Sequence, residues 1–552
     1  MKKLLALALV LVMMASAAVA EVNAAGKGDW DELTTITLYS NTANLQSGVQ
    51  GGYWGDIAKW YGLSIDVWAY SDDKTNAIMA SKSLPDVMVV TKENLAILIE
   101  NNLIIDFDEY MDQLPNLEPF NDLQIAMNFS RQFRSNDTGK LYGIPVGVSG
   151  GWDSKGITKN MIAVNWNYYY QLGCPEVTSE EELIDLMVEM QETFPEGPDG
   201  IQNWGTYLNA GGDTKYWASI TEYFKWHGHE VTSLEYLIDT DMYHGTYSSI
   251  LEEDGLYKAG LKWYNAAMRA GVVEPDSMYK DRQTQKALVD NGYAMVCSGT
   301  IQGYSKYMPL YIEGQELVEE GAPNPYGGNN YLVVSASTEN LDAALRFVNM
   351  MADTDAQMVS IDGPEGECWY LGDDGKAYIK DETVETYAKG EPWVLSDGQQ
   401  LALWYVPFVV DSGRHFTTLE DPDGGYRPIR FDEWSEIMAI RYDTEQWNQW
   451  REATGCEDFY DMAGENLIAV SVLNGVTNFV TTPDDMLQLK IDAIKNVVVN
   501  ASWQMVYAES DEKFEEIWSN MVAECNGLGA DEVIEWALQD LENATAIRDS
   551  LN

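Results

Sequence analysis

Thr34-Thr35-Ile36-Thr37-Leu38-Tyr39, Ser64-Ile65-Asp66-Val67-Trp68-Ala69-Tyr70 and Asp86-Val87-Met88-Val89-Val90 are three strand-like runs within one short stretch. The first is rich in β-branched and aromatic residues, and the second alternates with a period of two. The third is a short apolar run of the buried type. Tyr53 to Tyr61 has helical character between the first two runs, and a further helix is expected around Asn94 to Asn101. This β-α-β-α opening predicts a mostly parallel sheet covered by helices on both faces.

Upstream, Lys2 and Lys3 precede an apolar run from Leu4 to Met14 and the small residues Ala18-Val19-Ala20. A basic start, a short apolar core and an A-x-A site predict a secretory signal peptide over residues 1–20. The run is too short to span a bilayer, and no later stretch is long and apolar enough to do so. No cysteine stands near the expected cleavage site to carry a lipid, so the mature chain is expected to be released or held at the surface by a partner.

Downstream, Ser179-Glu180-Glu181-Glu182 has the pattern of a capping box, and Leu183, Met187, Met190 and Phe194 then share one helical face. Thr482 before Pro483 suits an N-cap with proline at the first helical position. From Ser510, the residues Phe514, Ile517, Trp518 and Met521 form a stripe ending at Asn526-Gly527. Such stripes mark a buried helix face rather than a cofactor contact. Two glycine-rich stretches, Gly147 to Gly151 and Gly321 to Gly328, look like crossings between lobes, because glycine absorbs backbone rotation there.

The formal charge is −54, from 88 acidic and 34 basic residues. A surface of that sign repels nucleic acid and anionic membranes, and it argues against a polyanionic ligand. The apolar fraction of 45 % supports real cores rather than disorder. Cys174, Cys297, Cys368, Cys456 and Cys525 have no C-x-x-C spacing, and unpaired buried thiols are the expectation.

Several segments, in order, resemble the extracellular solute-binding proteins of ABC importers, in particular the large carbohydrate-type group that includes the alginate-binding proteins. They are Leu84-Pro85-Asp86-Val87, Leu103 to Tyr110, Thr138-Gly139-Lys140-Leu141-Tyr142-Gly143-Ile144-Pro145, Asn165 to Gly173 with Pro175, and Leu256 to Pro275. Asn291 to Met295, Tyr331 to Met351, and Gly363-Pro364-Glu365-Gly366 with Trp369 and Asp374-Gly375-Lys376 continue the series. The resemblance implies an α/β, two-lobed periplasmic-binding-protein-like fold of type II, with mixed sheets flanked by helices. Its expected N-terminal lobe is 27–150 with 326–385, and its expected C-terminal lobe is 151–325 with 386–552. It further implies a monomer, secreted or extracellular and either surface-associated or periplasmic, that passes a captured oligosaccharide to ABC importer permease subunits. No cofactor is implied. Some relatives carry an EF-hand-type calcium loop after the capped helix, but Pro195-Glu196-Gly197-Pro198-Asp199-Gly200 lacks the D-x-[DN]-x-[DN]-G ladder, so no metal is expected there.

Sugars present apolar C–H faces to aromatic rings and hydroxyls to planar polar side chains. The segments that the resemblance places at an interlobe cleft offer Trp152, Asp153, Tyr216, Trp217, Trp369, Trp404 and Tyr405, with Asn41, Glu93, Asn329 and Arg414 as polar candidates. Taken singly each is better read as packing, and about half of the set is expected to line a pocket. Two rival readings stay open at this level. A secreted glycan-active enzyme needs two opposed carboxylates, which chance supplies everywhere in so acidic a chain, although no H-E-x-x-H or P-loop pattern occurs. A metal-capturing protein would use His227, His229 and His244, and a peptide is an alternative cargo.

Overall fold

The computed structural model describes residues 22–41, 47–148, 160–197, 199–208, 219–231, 237–280, 282–298, 306–319, 324–327, 330–389, 393–396, 398, 407–410 and 415–551. The chain forms two compact units, Met1–Gly150 with Asn324–Met438 and Gly151–Pro323 with Ala439–Asn552. The last division therefore falls at 438/439, not at the expected 385/386. Packing explains the shift. Leu395, Phe408, Val409, Ile429, Phe431 and Trp434 are buried in the same core as the first unit's Ile36, Leu38 and Phe347.

The first unit is built on a six-stranded sheet. Its order is Gly48–Val49, Leu63–Trp68, Thr34–Ser40, Val87–Thr91, Asn330–Val334 and Ile144–Pro145. The strands Leu63–Trp68 and Val87–Thr91 both run parallel to Thr34–Ser40, as the β-α-β reading requires. The flanks do not follow it. Gly48–Val49 is antiparallel to its neighbour, and Asn330–Val334 enters antiparallel between Val87–Thr91 and Ile144–Pro145. The sheet is mixed because the chain returns to it from the second unit travelling the other way.

Two of the helices between these strands start where a side chain caps them. Ser71 Oγ accepts from the Lys74 amide at the head of Asp72–Ser81, and Thr91 Oγ1 accepts from the Asn94 amide at the head of Lys92–Glu100. Asp86 of the Leu-Pro-Asp segment fastens three strands. Its carboxylate accepts from the Thr37 amide and hydroxyl, both at 2.8 Å, and from the Thr338 hydroxyl beyond the returning strand. Half-burial works against the charge, but the hydrogen bonds from Thr338 and Thr37 outweigh it and hold the carboxyl below its usual range. The stability it contributes is present above about pH 4, the unfolded value, and is lost as the pH falls through the lower folded value. Asp86→Ala is expected to cost about 2–3 kcal/mol in urea unfolding, because the Thr37 amide loses a charged acceptor.

The second unit holds the antiparallel sheet Val296–Ser298, Ile162–Asn165, Tyr307–Leu310, with Ile162–Asn165 in the middle. Its core is helical and aromatic, with Trp166, Trp447, Trp450 and Trp518 fully buried. Asn265, on helix Leu256–Arg269, donates to the carbonyls of Met505, Val506 and Ala508 and so holds the end of helix Asp485–Val506.

Ser179 caps helix Glu180–Thr193, accepting from the Glu182 amide, while the Glu182 carboxylate turns back to Thr178. Leu183, Met187 and Met190 are buried on that helix, with Phe194 half-buried at its end. The long helix starts two residues later than the Thr482-Pro483 pattern suggests. Asp484 caps it instead, accepting from the Leu487 amide at 2.8 Å, since a carboxylate serves that position better than a hydroxyl two residues upstream. Helix Asp511–Gly527 buries Phe514, Trp518 and Met521. All five cysteines are free thiols.

Candidate functional site

Three parallel strands end at one edge of the first unit's sheet. Tyr39 pairs with Trp68, and Ser40 pairs with Val89, so Asn41, Tyr70 and the Val90-Thr91 end of the third strand follow closely on the same side. In sheets of this kind ligands bind beyond the carboxyl ends of the strands. The returning strand begins there too, since Asn330 pairs with Thr91. Ile144–Pro145 also ends at this edge, opposite Tyr331.

The groups at the edge are aromatic and polar. Asn41 is exposed at the end of its strand, and Glu93 is exposed in the first turn of helix Lys92–Glu100. Tyr70 is 45 % exposed, and its ring leans on buried Tyr39 with centroids 5.4 Å apart. Its hydroxyl donates to Asp72 Oδ1 at 3.0 Å. Partial burial and that carboxylate push its phenol up, so it stays a neutral donor at any physiological pH. The Tyr39 hydroxyl is held by the Ser71 carbonyl at 2.8 Å and Thr75 Oγ1 at 2.7 Å. Lys74 Nζ sits 4.9 Å from the centre of the Trp68 ring.

The chain also leaves the sheet here. The Val146 amide donates to the Asn330 carbonyl, the Gly147 amide to Phe408, and the Val148 amide to Val409. Val148 then pairs in parallel with Val410. Gly327 is required at this point: its φ is +75°, and a Cβ would lie 2.6 Å from that of Pro145. Asn324 Nδ2 donates to the Gly147 carbonyl at 3.2 Å. Residues 146–148 are thus joined by hydrogen bonds to three places distant in sequence, Asn324, Asn330 and Phe408-Val409.

Of the expected contact residues, Asn41 and Glu93 come together at this edge. Trp369 does not join them. It is 5 % exposed, packs in the first unit's core and donates its indole N–H to the Gly363 carbonyl at 3.0 Å. The Gly363–Gly366 turn uses it as filling, so it has no ring face to offer a ligand. Trp152, Asp153, Tyr216, Trp217, Asn329, Trp404, Tyr405 and Arg414 lie outside the described residues. Tyr70 and Asn330 were missed from sequence. The usable signal was their position, an aromatic two residues beyond one strand and an amide at the head of another.

The histidine-based metal reading meets a different geometry. His227 Nε2 lies 2.8 Å from Glu180 Oε1 while its Nδ1 faces the Tyr223 carbonyl. Burial opposes its charge, but Glu180 more than compensates and raises its proton affinity. His229 faces Asp239 at 2.6 Å, and His244 faces Asp241 at 3.0 Å. Among the described residues no group of three or more His, Cys, Asp or Glu is arranged to hold a metal ion. No helix among them is long and apolar enough to cross a membrane.

Two mixed α/β units, with the chain passing between them at three places, define the class of two-unit ligand-binding proteins. A family model for bacterial extracellular solute-binding proteins matches residues 61–361, and the chain belongs to that family. Among solved structures, an HMO-binding, ABC-transporter-associated solute-binding protein from Bifidobacterium longum infantis has 16 % identity and a TM-score of 0.60. That match covers 93 % of this chain and 100 % of the other. The Streptococcus pneumoniae ABC-transporter substrate-binding protein FusA, as an EF-hand mutant in complex with fructo-nystose, has 15 % identity and a TM-score of 0.57, covering 93 % and 100 %. The alginate-binding protein AlgQ2 without calcium ion has 13 % identity and a TM-score of 0.56, covering 93 % and 99 %. No curated protein matches the chain in sequence.

Proposed function

We propose that this protein is the extracellular substrate-binding component of an ABC importer, and that it captures a carbohydrate, an oligosaccharide, for delivery to permease subunits. The observation that carries this reading is the carboxyl edge of the first unit's sheet. There a tilted, half-exposed tyrosine stands with an amide and a carboxylate, the groups that sugar faces and hydroxyls call for. The structural neighbours that span this fold at full length include proteins described with HMO, alginate and fructo-nystose, which supports the ligand class. Trp152, Asp153, Tyr216, Trp217, Asn329, Trp404, Tyr405 and Arg414 stay proposed contacts beside Asn41 and Glu93, with Tyr70 added and Trp369 withdrawn.

Capture needs no covalent chemistry, so the cargo is released unchanged. The N-terminal segment directs export, and the protein acts outside the cytoplasmic membrane as a monomer. A calorimetric screen against neutral oligosaccharides tests the proposal. A cognate sugar is expected to raise the melting temperature, as any ligand confined to the native state must, and mass spectrometry is expected to recover it intact. Asn41→Ala and Tyr70→Ala are each expected to weaken its binding by about tenfold, or about 1.4 kcal/mol, with the melting temperature of the free protein little changed. Unchanged affinity in both variants would remove this edge from the site, and a shortened sugar would make the protein an enzyme.

A further inference from the structure

The turn that follows helix Glu180–Thr193 is the one for which the family resemblance raises the question of an EF-hand-type calcium loop. Calcium asks for six to eight hard oxygen ligands, several of them carboxylates. The turn's described residues carry two carboxylates, Glu196 and Asp199. Asp199 is already engaged at both oxygens, since Oδ1 accepts from the Ile201 amide and Oδ2 accepts from the Tyr293 hydroxyl.

The backbone closes on itself in the same way. The Gly197 amide donates to Ile201, the Gly200 amide to Gly197, and the Asn203 amide to Pro195, while Glu196 bridges to Gln202. Asn203 Nδ2 donates to the Tyr168 hydroxyl and the Phe194 carbonyl. Asn203 Oδ1 is buried without a partner, and one neutral oxygen does not make a calcium shell.

Tyr293 is itself fixed. Its amide donates to the Leu288 carbonyl, and its carbonyl accepts from the Trp204 amide. Its ring lies against the turn, where a Cβ on Gly197 would come 3.0 Å from Tyr293 Cε1. The phenol therefore spans from the turn to the segment that enters strand Val296–Ser298.

We infer that this turn is independent of metal ions, and that the Tyr293 hydroxyl on Asp199 fastens it without one. An ion neutralises clustered carboxylates and ties the loop's ends together. Here there is no cluster to neutralise, and one tyrosine makes the tie.

The test uses the whole protein, stripped with chelator and then melted with calcium or with magnesium at about 5 mM. The two melting temperatures are expected to coincide, because a surface this acidic gains the same screening from either ion. Calorimetry with calcium alone is expected to show no saturable site. Tyr293→Phe is expected to speed hydrogen exchange of the 197–203 amides by about tenfold, in calcium and in chelator alike. A melting temperature several degrees higher in calcium than in magnesium, abolished by Asp199→Asn, would overturn the inference. So would stoichiometric calcium in the titration, or unaltered exchange in Tyr293→Phe.

Discussion

Arg427→Met is expected to lower the stability of the first unit by about 3–5 kcal/mol, the range for removing one partner of a buried ion pair. Arg427 is fully buried. Its guanidinium makes a bidentate pair with Glu436 at 2.8 and 2.7 Å and reaches Asp421 at 3.0 Å. Nε and Nη2 donate to the Ala377 carbonyl, and the plane lies 4.1 Å from the centre of the Trp434 ring. Methionine keeps much of the volume but leaves two carboxylates and a carbonyl without their donor. Lysine is expected to recover only part of the loss, because a point charge cannot serve the fork and the stack together. Hydrogen exchange of amides 416–428 checks this locally, and Arg427→Met/Glu436→Gln is expected to be less damaged than Arg427→Met alone. A loss below about 1 kcal/mol would mean that the pair is solvated and the account wrong.

The same residue explains why the last boundary was misplaced from sequence. Arg427 lies in strand Tyr426–Pro428, on the far side of the expected 385/386 division, yet it bonds to Ala377 in the hairpin Trp369–Leu371/Ala377–Ile379. Thr418 bonds to Asp355, Lys376 to the Pro422 carbonyl, and the Phe431 amide to Asp362. Each of these joins 386–438 to 324–385 through side chains whose partners are tens of residues away. Local pattern carries no trace of such pairings. What was legible was local: the period of two in Leu63–Trp68, the serine cap at Ser179, and the stripe of Phe514, Trp518 and Met521.

The sheet divides along the same line. Its parallel centre follows from strand-helix-strand connections, which have a fixed geometry. The antiparallel insertion of Asn330–Val334 follows from a return through the second unit, and no residue in that strand announces its direction. For the candidate site, Asn41 and Glu93 could be placed at one sheet edge because they follow strands whose ends could be read. Trp369 was misjudged because composition alone does not separate an aromatic that fills a turn from one that faces a ligand.

Asp362→Asn is expected to stabilise the protein at pH 8 by several kcal/mol and to leave it nearly unchanged at pH 4. Asp362 ends helix Thr354–Asp362 and is 2 % exposed. Burial, and then the Asp432 carboxylate, push its acid up to about 8, although the Phe431 amide, the Tyr387 hydroxyl and Arg430 favour the charged form. Arg430 does not neutralise it, being paired with Asp432 at 2.8 and 2.6 Å. The native state therefore holds a proton that the unfolded chain gives up near pH 4. Between about pH 4 and pH 8 the unfolded state binds fewer protons, so stability falls as the pH rises, by on the order of 5 kcal/mol in all. Above pH 8 both states are ionised and the slope from this group ends. Asparagine reproduces the uncharged acid: its oxygen accepts from the Phe431 amide as Oδ2 does at 2.9 Å, and the Tyr387 hydroxyl, which donates to Oδ1 in the native chain, turns to accept from the new amide. Urea midpoints of the native chain and the variant, measured from pH 4 to pH 9, are expected to diverge through this window, with the variant the flatter of the two. Parallel curves would show that Asp362 is ionised in the native protein. The Phe431 amide and Tyr387 hydroxyl would then be enough to hold a bare carboxylate in that core, and the variant would be the less stable chain at every pH.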